Sequence, residues 1–562
     1  MDAQKNDTVS SVKGRYQYLI FWSSAVLLFL WALGYRGLWA SEGRWAEITR
    51  EMFLSGDFFH PTINGEPYFD KPLLSYWLIA LVSHTTGKLN EWAIRLPSAV
   101  SCLLALWAMV SLGRRLWSEK VAITAGWILL TTYGILFWSR TGSADMENLA
   151  VVIIAVAWYW ARRERPGFLT FLVFYLICFL GAHAKGLPAV VIPVLAVLPD
   201  VIRERRWKRL LSFSHVLALA IGITFYIIPF IYADITSGEY RASGLALVFK
   251  ENVLRYFKPF DHKEPFYVYL YYLPELFLPW TPLFLIAIWG TFASFKKLDK
   301  KTRWLAEAIV VIFLFFTFSG SRRSYYILPI LPFCALLTSL FFVADGKDRR
   351  AHLGFSIQEW GFAMVSLCAI ASLAIWPIIR SHTGFVPPAD LLTATPILGI
   401  LSLFALILNR LRPGLQADFL GTDQKIAPCV FAAVILMGGF FCLQLPSLDV
   451  YRGERPFAME LKSRVAGLSP EQVAFYGTIM TNTLFYLDQP KPVRMLTNTE
   501  SVQIFLESCK GDKFFITTEK YLKELKPVLP AEVAENPTLR EKVYPWERNN
   551  SKNLVAWLIR AK

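Results

Sequence analysis

The side chains of this sequence best suited to chemistry are gathered in one polar loop of about sixty residues, Leu38 to Pro97. It opens with an acid-rich run, Ser41-Glu42-Gly43-Arg44-Trp45-Ala46-Glu47-Ile48-Thr49-Arg50-Glu51-Met52. Gly56-Asp57 and then Tyr68-Phe69-Asp70-Lys71-Pro72 follow. Carboxylates can act as base or nucleophile, and a lysine at a bilayer surface suits a phosphate. Together they point to chemistry on lipids at a membrane face. Glu42 stands where an apolar stretch hands over to a helix, near the helix N-terminus that favours a negative charge. Trp45, Ile48, Thr49 and Met52 recur at i, i+3, i+4 and i+7, which predicts an amphipathic helix lying in the interface plane. Arg44, Glu47, Arg50 and Glu51 fall on other faces, where ordinary surface pairing is expected of them. Asp70 precedes Pro72, a helix-start signal, and a plain helix cap would account for Asp70 alone. Lys71 beside it adds the phosphate reading.

Other ionisable residues stand at the margins of apolar stretches. They are Asp145 in Arg140-Thr141-Gly142-Ser143-Ala144-Asp145-Met146-Glu147, Lys185-Gly186, and Arg322-Arg323-Ser324-Tyr325-Tyr326. Charges at membrane depth are costly, so function is the default reading of each. Arg255-Tyr256 and Asp261-His262-Lys263-Glu264-Pro265 add a histidine beside carboxylates, although a lone histidine is more often an ordinary surface residue.

The elements that must hold these groups are transmembrane helices. Of 562 residues, 55% are hydrophobic and only 18% charged, and apolar stretches near bilayer length recur. About thirteen spans are expected, near residues 18–34, 96–113, 122–137, 149–160, 169–181, 187–199, 216–231, 268–289, 305–318, 326–343, 362–378, 394–408 and 426–443. Cations crowd one set of short loops, among them Arg114/Arg115, Arg162/Arg163/Arg165, Arg203–Arg209 and Lys296–Lys301. The positive-inside rule makes these loops and the N-terminus cytoplasmic. The loop 38–96, the 234–265 loop and the C-terminal segment then face outward. The net charge of +15 reflects this topology and anionic headgroups rather than nucleic-acid binding. Seven cysteines form no disulfide framework or zinc spacing. No cleavable signal peptide precedes the first span. From residue 445 charge rises, and β-rich runs (472–476, 513–517, 554–559) alternate with helical ones (456–466, 499–509). A transmembrane domain, 1–444, and a small α/β domain outside the membrane, 445–562, are therefore expected.

In order along the chain, Glu42-x-Arg44-Trp45-Ala46-Glu47-Ile48-x-Arg50-Glu51-Met52, Ser55-Gly56-Asp57, Asn64-Gly65 and Tyr68-Phe69-Asp70-Lys71-Pro72 resemble the bacterial aminoarabinose lipid A transferases. These form a branch of the protein mannosyltransferase-like superfamily with the GT-C fold. The likeness continues through Asp145-Met146, Lys185-Gly186, Asp261 to Phe266, Leu278-Pro279-Trp280, and Arg322 with Tyr326-Ile327-Leu328-Pro329. It covers essentially all of the membrane part, and is stronger for the superfamily than for the aminoarabinose branch. The resemblance implies an inverting glycosyltransferase that takes a sugar from a polyprenyl (undecaprenyl) phosphate on the periplasmic face of a bacterial inner membrane. The acceptor it implies is lipid A or another envelope glycolipid. It assigns Glu42, Asp70 and Asp145 as catalytic carboxylates, and Lys71, Lys185, Arg255 and Arg322 as contacts to the donor phosphate. It allows a divalent metal near Asp70 and His262. The family usually has Asp where this chain has Ser41. Either Glu42 or Asp145 then supplies the carboxylate, or an acceptor that is already an ionised phosphate needs no strong base.

Three other readings fit parts of the sequence. A lipid-linked sugar flippase would share the many spans but should show internal repeats and midplane breaks. An envelope oligosaccharide ligase or polymerase would lack the acid-rich first-loop helix. A relative that has lost catalysis through Ser41 would serve in binding or assembly. A protein hydroxyl is the alternative acceptor.

Overall fold

The computed structural model describes residues 2–69, 71–164, 166–236, 250, 254–257, 262–344, 349–508, 511–529, 536–544 and 552–560. Its larger part is a helical bundle. Seven helices are long and apolar enough to cross a membrane: Glu91–Leu116, Phe168–Lys185, Phe213–Thr236, Ser324–Val343, Arg349–Thr383, Ala389–Leu411 and Ala427–Tyr451. An eighth is gained if Glu119–Leu130 and Tyr133–Ser139, which bend by 64°, form one broken span. All thirteen apolar stretches read from the sequence fall on helices. The remaining ones are short or carry charge near their ends. Thr281–Ala293 has 13 residues, and Asp145–Arg162 begins with two acids and ends on an arginine. The fold is thus that of a multi-pass helical membrane protein.

Sequence-encoded caps set several helix starts. We number helices α1 (Asp2–Leu30), α2 (Glu42–Ser55), α3 (Leu74–Thr86), α4 (Glu91–Leu116), α5 (Glu119–Leu130) and α6 (Tyr133–Ser139), then α7 (Asp145–Arg162), α8 (Phe168–Lys185), α9 (Pro188–Arg203) and α10 (Phe213–Thr236). Asn90 and Ser118 accept hydrogen bonds from the Ala93 and Val121 amides at the starts of α4 and α5, satisfying amides that a helix leaves orphaned. Pro188 opens α9, its missing N–H costing nothing there. Helices α4 and α7 pack side by side, with α8 and α9 against α7. One helix end in this group therefore fixes the position of the others.

The C-terminal part forms the expected small α/β domain. Strands β3 (Val473–Tyr476), β4 (Arg494–Leu496), β5 (Lys513–Thr518), β6 (Leu539–Arg540) and β7 (Leu554–Ile559) make one sheet in the order β4-β3-β5-β7-β6. A two-stranded hairpin in the first loop supplies β1 and β2 (Thr62–Ile63 and Glu66–Pro67). In the domain β4, β3 and β5 are parallel, whereas β7 and β6 are antiparallel. Successive residues of β3 point to opposite cores: Phe475 joins Leu461 and Ile516, and Ala474 joins Phe515 and Trp557. Both faces are covered, so the central strands read as continuous apolar runs. The two edge strands span only three and two residues, and they are the strands that the sequence did not announce.

This domain clasps the first loop. The Asn64 amide donates to the Val493 carbonyl at 2.6 Å, and the Val493 N–H donates to the Asn64 side chain at 2.7 Å. Arg50 donates to the Gln489 carbonyl at 2.8 Å. The Tyr486 hydroxyl accepts from the Leu38 amide at 2.7 Å and donates to Glu91 at 2.9 Å. Helix α2 consequently has its apolar stripe covered by protein rather than left open to lipid. It is enclosed between α3 and the helix Thr481–Leu487, and Glu47 is buried in a two-pronged ion pair with Arg50 rather than displayed at a surface. Gly43 allows this approach, because a Cβ there would lie 2.1 Å from the Asn482 side-chain oxygen and 2.5 Å from its backbone nitrogen. Gly43→Ala should therefore push the domain off the loop and cost about 1–3 kcal/mol. Faster proteolytic separation of the two parts, with unchanged helix content, is the expected observation.

Candidate active site

Two cavities meet between the first loop and the bundle helices. One is bounded by Asp145, Asn148, Lys185 and Ser319, the other by His262, Glu275, Arg323 and Tyr133. Ser41, Arg44, Lys71, Trp138, Tyr325 and Tyr326 form the wall that both share. Two cationic side chains and one small hydroxyl thus stand where two ligands would meet. The Arg44 guanidinium donates to the Tyr68 hydroxyl at 3.0 Å and lies 5.8 Å from the centre of the Trp45 ring. That planar support fixes its direction into the cavity. Arg44, grouped with the surface pairs on sequence grounds, is therefore a cavity residue.

Asp145 is the carboxylate of the first cavity. It is the first residue of α7, and Lys185, the last residue of α8, forms an ion pair with it. Both side chains are largely buried, at 7% and 16% exposure. The Lys185 ammonium also lies 5.1 and 5.4 Å from the ring centres of Tyr325 and Tyr326, an arrangement that holds a cation by the ring faces. An anionic ligand entering here would meet a positive charge already desolvated and oriented, with the aspartate able to turn toward a substrate.

Glu42 sits nearby but does another job. Its two oxygens accept from Arg95 Nε and Nη2 at 2.8 and 2.7 Å, from the Trp39 amide at 2.9 Å and from the Gly142 amide at 2.7 Å. Arg95 spends its remaining donors on the Leu33, Arg36 and Gly37 carbonyls. Burial pushes the Glu42 carboxyl up, but the charge and hydrogen bonds of Arg95 outweigh it and hold the group below the usual carboxylate range. Glu42 lines neither cavity. It ties the first loop to Gly142, and Ser98 donates to the neighbouring Ser143 carbonyl at 2.9 Å. These bonds set the turn that presents Asp145 three residues later.

The remaining sequence candidates divide. Lys71 lines both cavities. Asp70 lies outside the described residues, as does the side chain of Arg255. Arg322 directs its guanidinium to backbone carbonyls, those of Glu264 at 2.5 Å and Thr317 at 3.0 Å, and lines neither cavity. Its neighbour Arg323 lines the second cavity instead and donates to His262 Nε2 at 3.1 Å. That nitrogen, engaged by a guanidinium, is poorly placed to ligate a metal. Among the described residues no group of three or more His, Cys, Asp and Glu could hold one, so no step here is routed through a metal. Sequence reasoning named the Arg322-Arg323 pair but chose Arg322 as the phosphate contact, and it passed over Glu275. Glu275 lies inside an apolar stretch with no local signal.

Comparison with known proteins follows this geometry. A family model described as dolichyl-phosphate-mannose-protein mannosyltransferase matches residues 70–232. The undecaprenyl phosphate-alpha-4-amino-4-deoxy-L-arabinose arabinosyl transferase of Pseudomonas paraeruginosa is 30% identical over 62% of this chain and 64% of its own length. That of Aeromonas salmonicida is 30% identical over 64% and 66%. The chain thus spans just under two thirds of the length of these curated relatives. The crystal structure of ArnT from Cupriavidus metallidurans bound to undecaprenyl phosphate superposes with a TM-score of 0.70 at 20% identity, covering 96% of this chain and 97% of that one. The likeness expected from the motifs is borne out, and the fold is shared along nearly the whole chain.

Proposed function

We propose that this chain is an integral membrane glycosyltransferase. It moves a sugar, aminoarabinose by its likeness to the relatives above, from undecaprenyl phosphate to lipid A or another envelope glycolipid on the periplasmic face of a bacterial inner membrane. The observation that carries this reading is the shared wall of the two cavities. Lys71 and Arg44 stand between the Asp145–Lys185 pair on one side and His262–Arg323 on the other, which suits a phosphate-linked donor in one space and an acceptor in the next. The helices too short to cross alone complete about thirteen spans of a GT-C-like bundle. The domain 445–562 then lies in the periplasm.

In the reaction an acceptor oxygen attacks the anomeric carbon as the bond from that carbon to the lipid phosphate breaks, inverting the configuration. The leaving phosphate carries away the electron pair, and the cations neutralise its growing charge. Such preorganised charge is the largest single contribution expected of the site. A hydroxyl acceptor must also lose a proton, which Asp145 can take; an ionised phosphate acceptor has none to lose. The match of residues 70–232 to the mannosyltransferase model favours the second reading, a protein Ser or Thr hydroxyl as acceptor. Mass analysis of envelope lipids and glycopeptides from a deletion strain separates the two. Loss of an aminoarabinose mass from lipid A supports the first, and loss of a peptide-linked hexose supports the second. A purified protein that moves lipid-linked sugar between leaflets without forming product would overturn both.

Lys71→Met should raise the donor KM by about 10- to 100-fold, the worth of one hydrogen bond to a charged group. The acceptor KM should move less. Titrating each substrate at saturating levels of the other measures the split.

A further inference from the structure

The helices that deliver Asp145, Lys185 and Pro188 to the first cavity enclose a different cavity at their other ends. It is a cleft lined by α7, α8, α9 and the start of α10. Helix α7 has 18 residues, so its two ends lie about 27 Å apart, close to the thickness of a bilayer core. The wall is strongly apolar, built from Phe171, Phe174, Val194, Val197, Leu198 and Val201. The mouth is basic.

Arg163, Arg206 and Arg209 all line it. The acids facing them are Asp200, paired with Arg163 at 2.7 Å and bonded to the Tyr159 hydroxyl at 2.5 Å, Glu164, which meets Arg163 at 2.8 Å and Arg206 at 2.9 Å while 69% exposed, and Glu204, which acts on Arg163 and Arg206 and pairs with Lys300 at 3.0 Å. Arg209 donates to the Arg163 carbonyl at 3.2 Å. Three guanidiniums thus stand among three carboxylates, of which Asp200 is neutralised inside the wall and Glu204 is held from outside by Lys300. Beside the mouth, the turn Arg206–Leu211 exposes Trp207 and Leu211, and Phe213 follows at 80% exposure. Exposed aromatic and apolar side chains interleaved with arginine and lysine are the signature of the headgroup layer.

We propose that this cavity is a structural site for an anionic phospholipid of the leaflet opposite the catalytic one. One acyl chain fills the apolar cleft, and the headgroup phosphate rests on Arg206 and Arg209. Charge complementarity selects the occupant: an acyl chain alone needs no cations, and a soluble anion needs no cleft of phenylalanine and valine. Each basic side chain at a membrane surface favours anionic lipid by about 1 kcal/mol, so two should enrich it about tenfold or more over a zwitterionic lipid of equal chain length.

Native mass spectrometry of the full-length protein tests this after exchange into mixed micelles of phosphatidylglycerol and phosphatidylcholine with matched chains. Wild type should retain phosphatidylglycerol about tenfold over phosphatidylcholine. Arg206→Gln/Arg209→Gln, a change at the rim, should abolish the preference while leaving some lipid bound. Val194→Trp, which fills the cleft, should lower total retention. Thermal melting of each variant in detergent keeps a folding defect separate from lost binding. Equal retention of the two lipids by wild type overturns the proposal. So does retention of undecaprenyl phosphate in place of phospholipid, or a selectivity unchanged in the double variant.

Discussion

Asp145→Asn should transfer sugar to a hydroxyl acceptor about 100-fold more slowly than wild type, yet stay within about tenfold of wild type when the acceptor is a phosphate. The substitution keeps shape and one hydrogen-bonding oxygen, and the Tyr325 and Tyr326 ring faces still hold the Lys185 charge, so the variant should fold with a lowered melting temperature rather than fail to fold. What it removes is the ability to take a proton. A hydroxyl needs that and an ionised phosphate does not. The same pair of measurements also explains how a chain with Ser41 at the loop start can remain active, because Ser41 faces both cavities and offers no base of its own. Turnover with purified protein, one donor and the two acceptor classes side by side is the decisive experiment. Near-normal rates with both acceptors would remove the carboxylate from the chemistry altogether.

Glu42→Gln should fail in a different way. Replacing the carboxylate leaves Arg95 charged at 0% exposure with its bonded counter-charge gone and only the more distant Glu91 acting on it, and breaking one side of such a pair costs about 3–5 kcal/mol. Low yield and a melting temperature well below wild type in detergent are the expected results, whatever the acceptor. The pH dependence carries its own sign. A carboxyl whose folded value is depressed contributes stability above its unfolded value of about 4.3, and loses it as pH falls through the folded value. Wild type should therefore show no change from this group between about pH 8 and pH 5. It should weaken only in stronger acid, whereas the variant is weak throughout. A folded, inactive Glu42→Gln protein would instead return Glu42 to the chemistry.

The contrast between these two acids shows what the sequence could and could not reveal. Both stand beside apolar stretches, both sit at the start of a helix, and both were expected to serve the reaction. The partner of Asp145 lies 40 residues away, and that of Glu42 lies 53 residues away on α4. Spacing cannot say which carboxylate will meet a buried arginine and which will line a cavity. Periodicity placed the bundle helices, because a run of apolar residues near bilayer length permits little else, although seven or eight of the described helices, not thirteen, are long and apolar enough to cross a membrane alone. It misread α2, whose apolar stripe joins the bundle core, with Trp45 against Tyr76, while its other face meets the C-terminal domain. The strands β3, β5 and β7 were legible from their β-branched and aromatic runs. The edge strands β4 and β6 were not, since so few residues carry no period. Arg322 and Arg323 differ by one position, and only the fold determines that the first spends its donors on carbonyls and the second faces the cavity.

The bond between Asn64 and Val493 joins residues 429 positions apart. A ribosome adding about 5–20 residues per second needs roughly 20–90 s to cover that distance. Throughout that interval the first loop has been made, and its clamp does not yet exist. A newborn chain therefore holds its acid-rich helix without a lid until translation is nearly finished. A protein cut short before residue 493 would carry every side chain that lines the two cavities and still lack the strand that clamps the first loop.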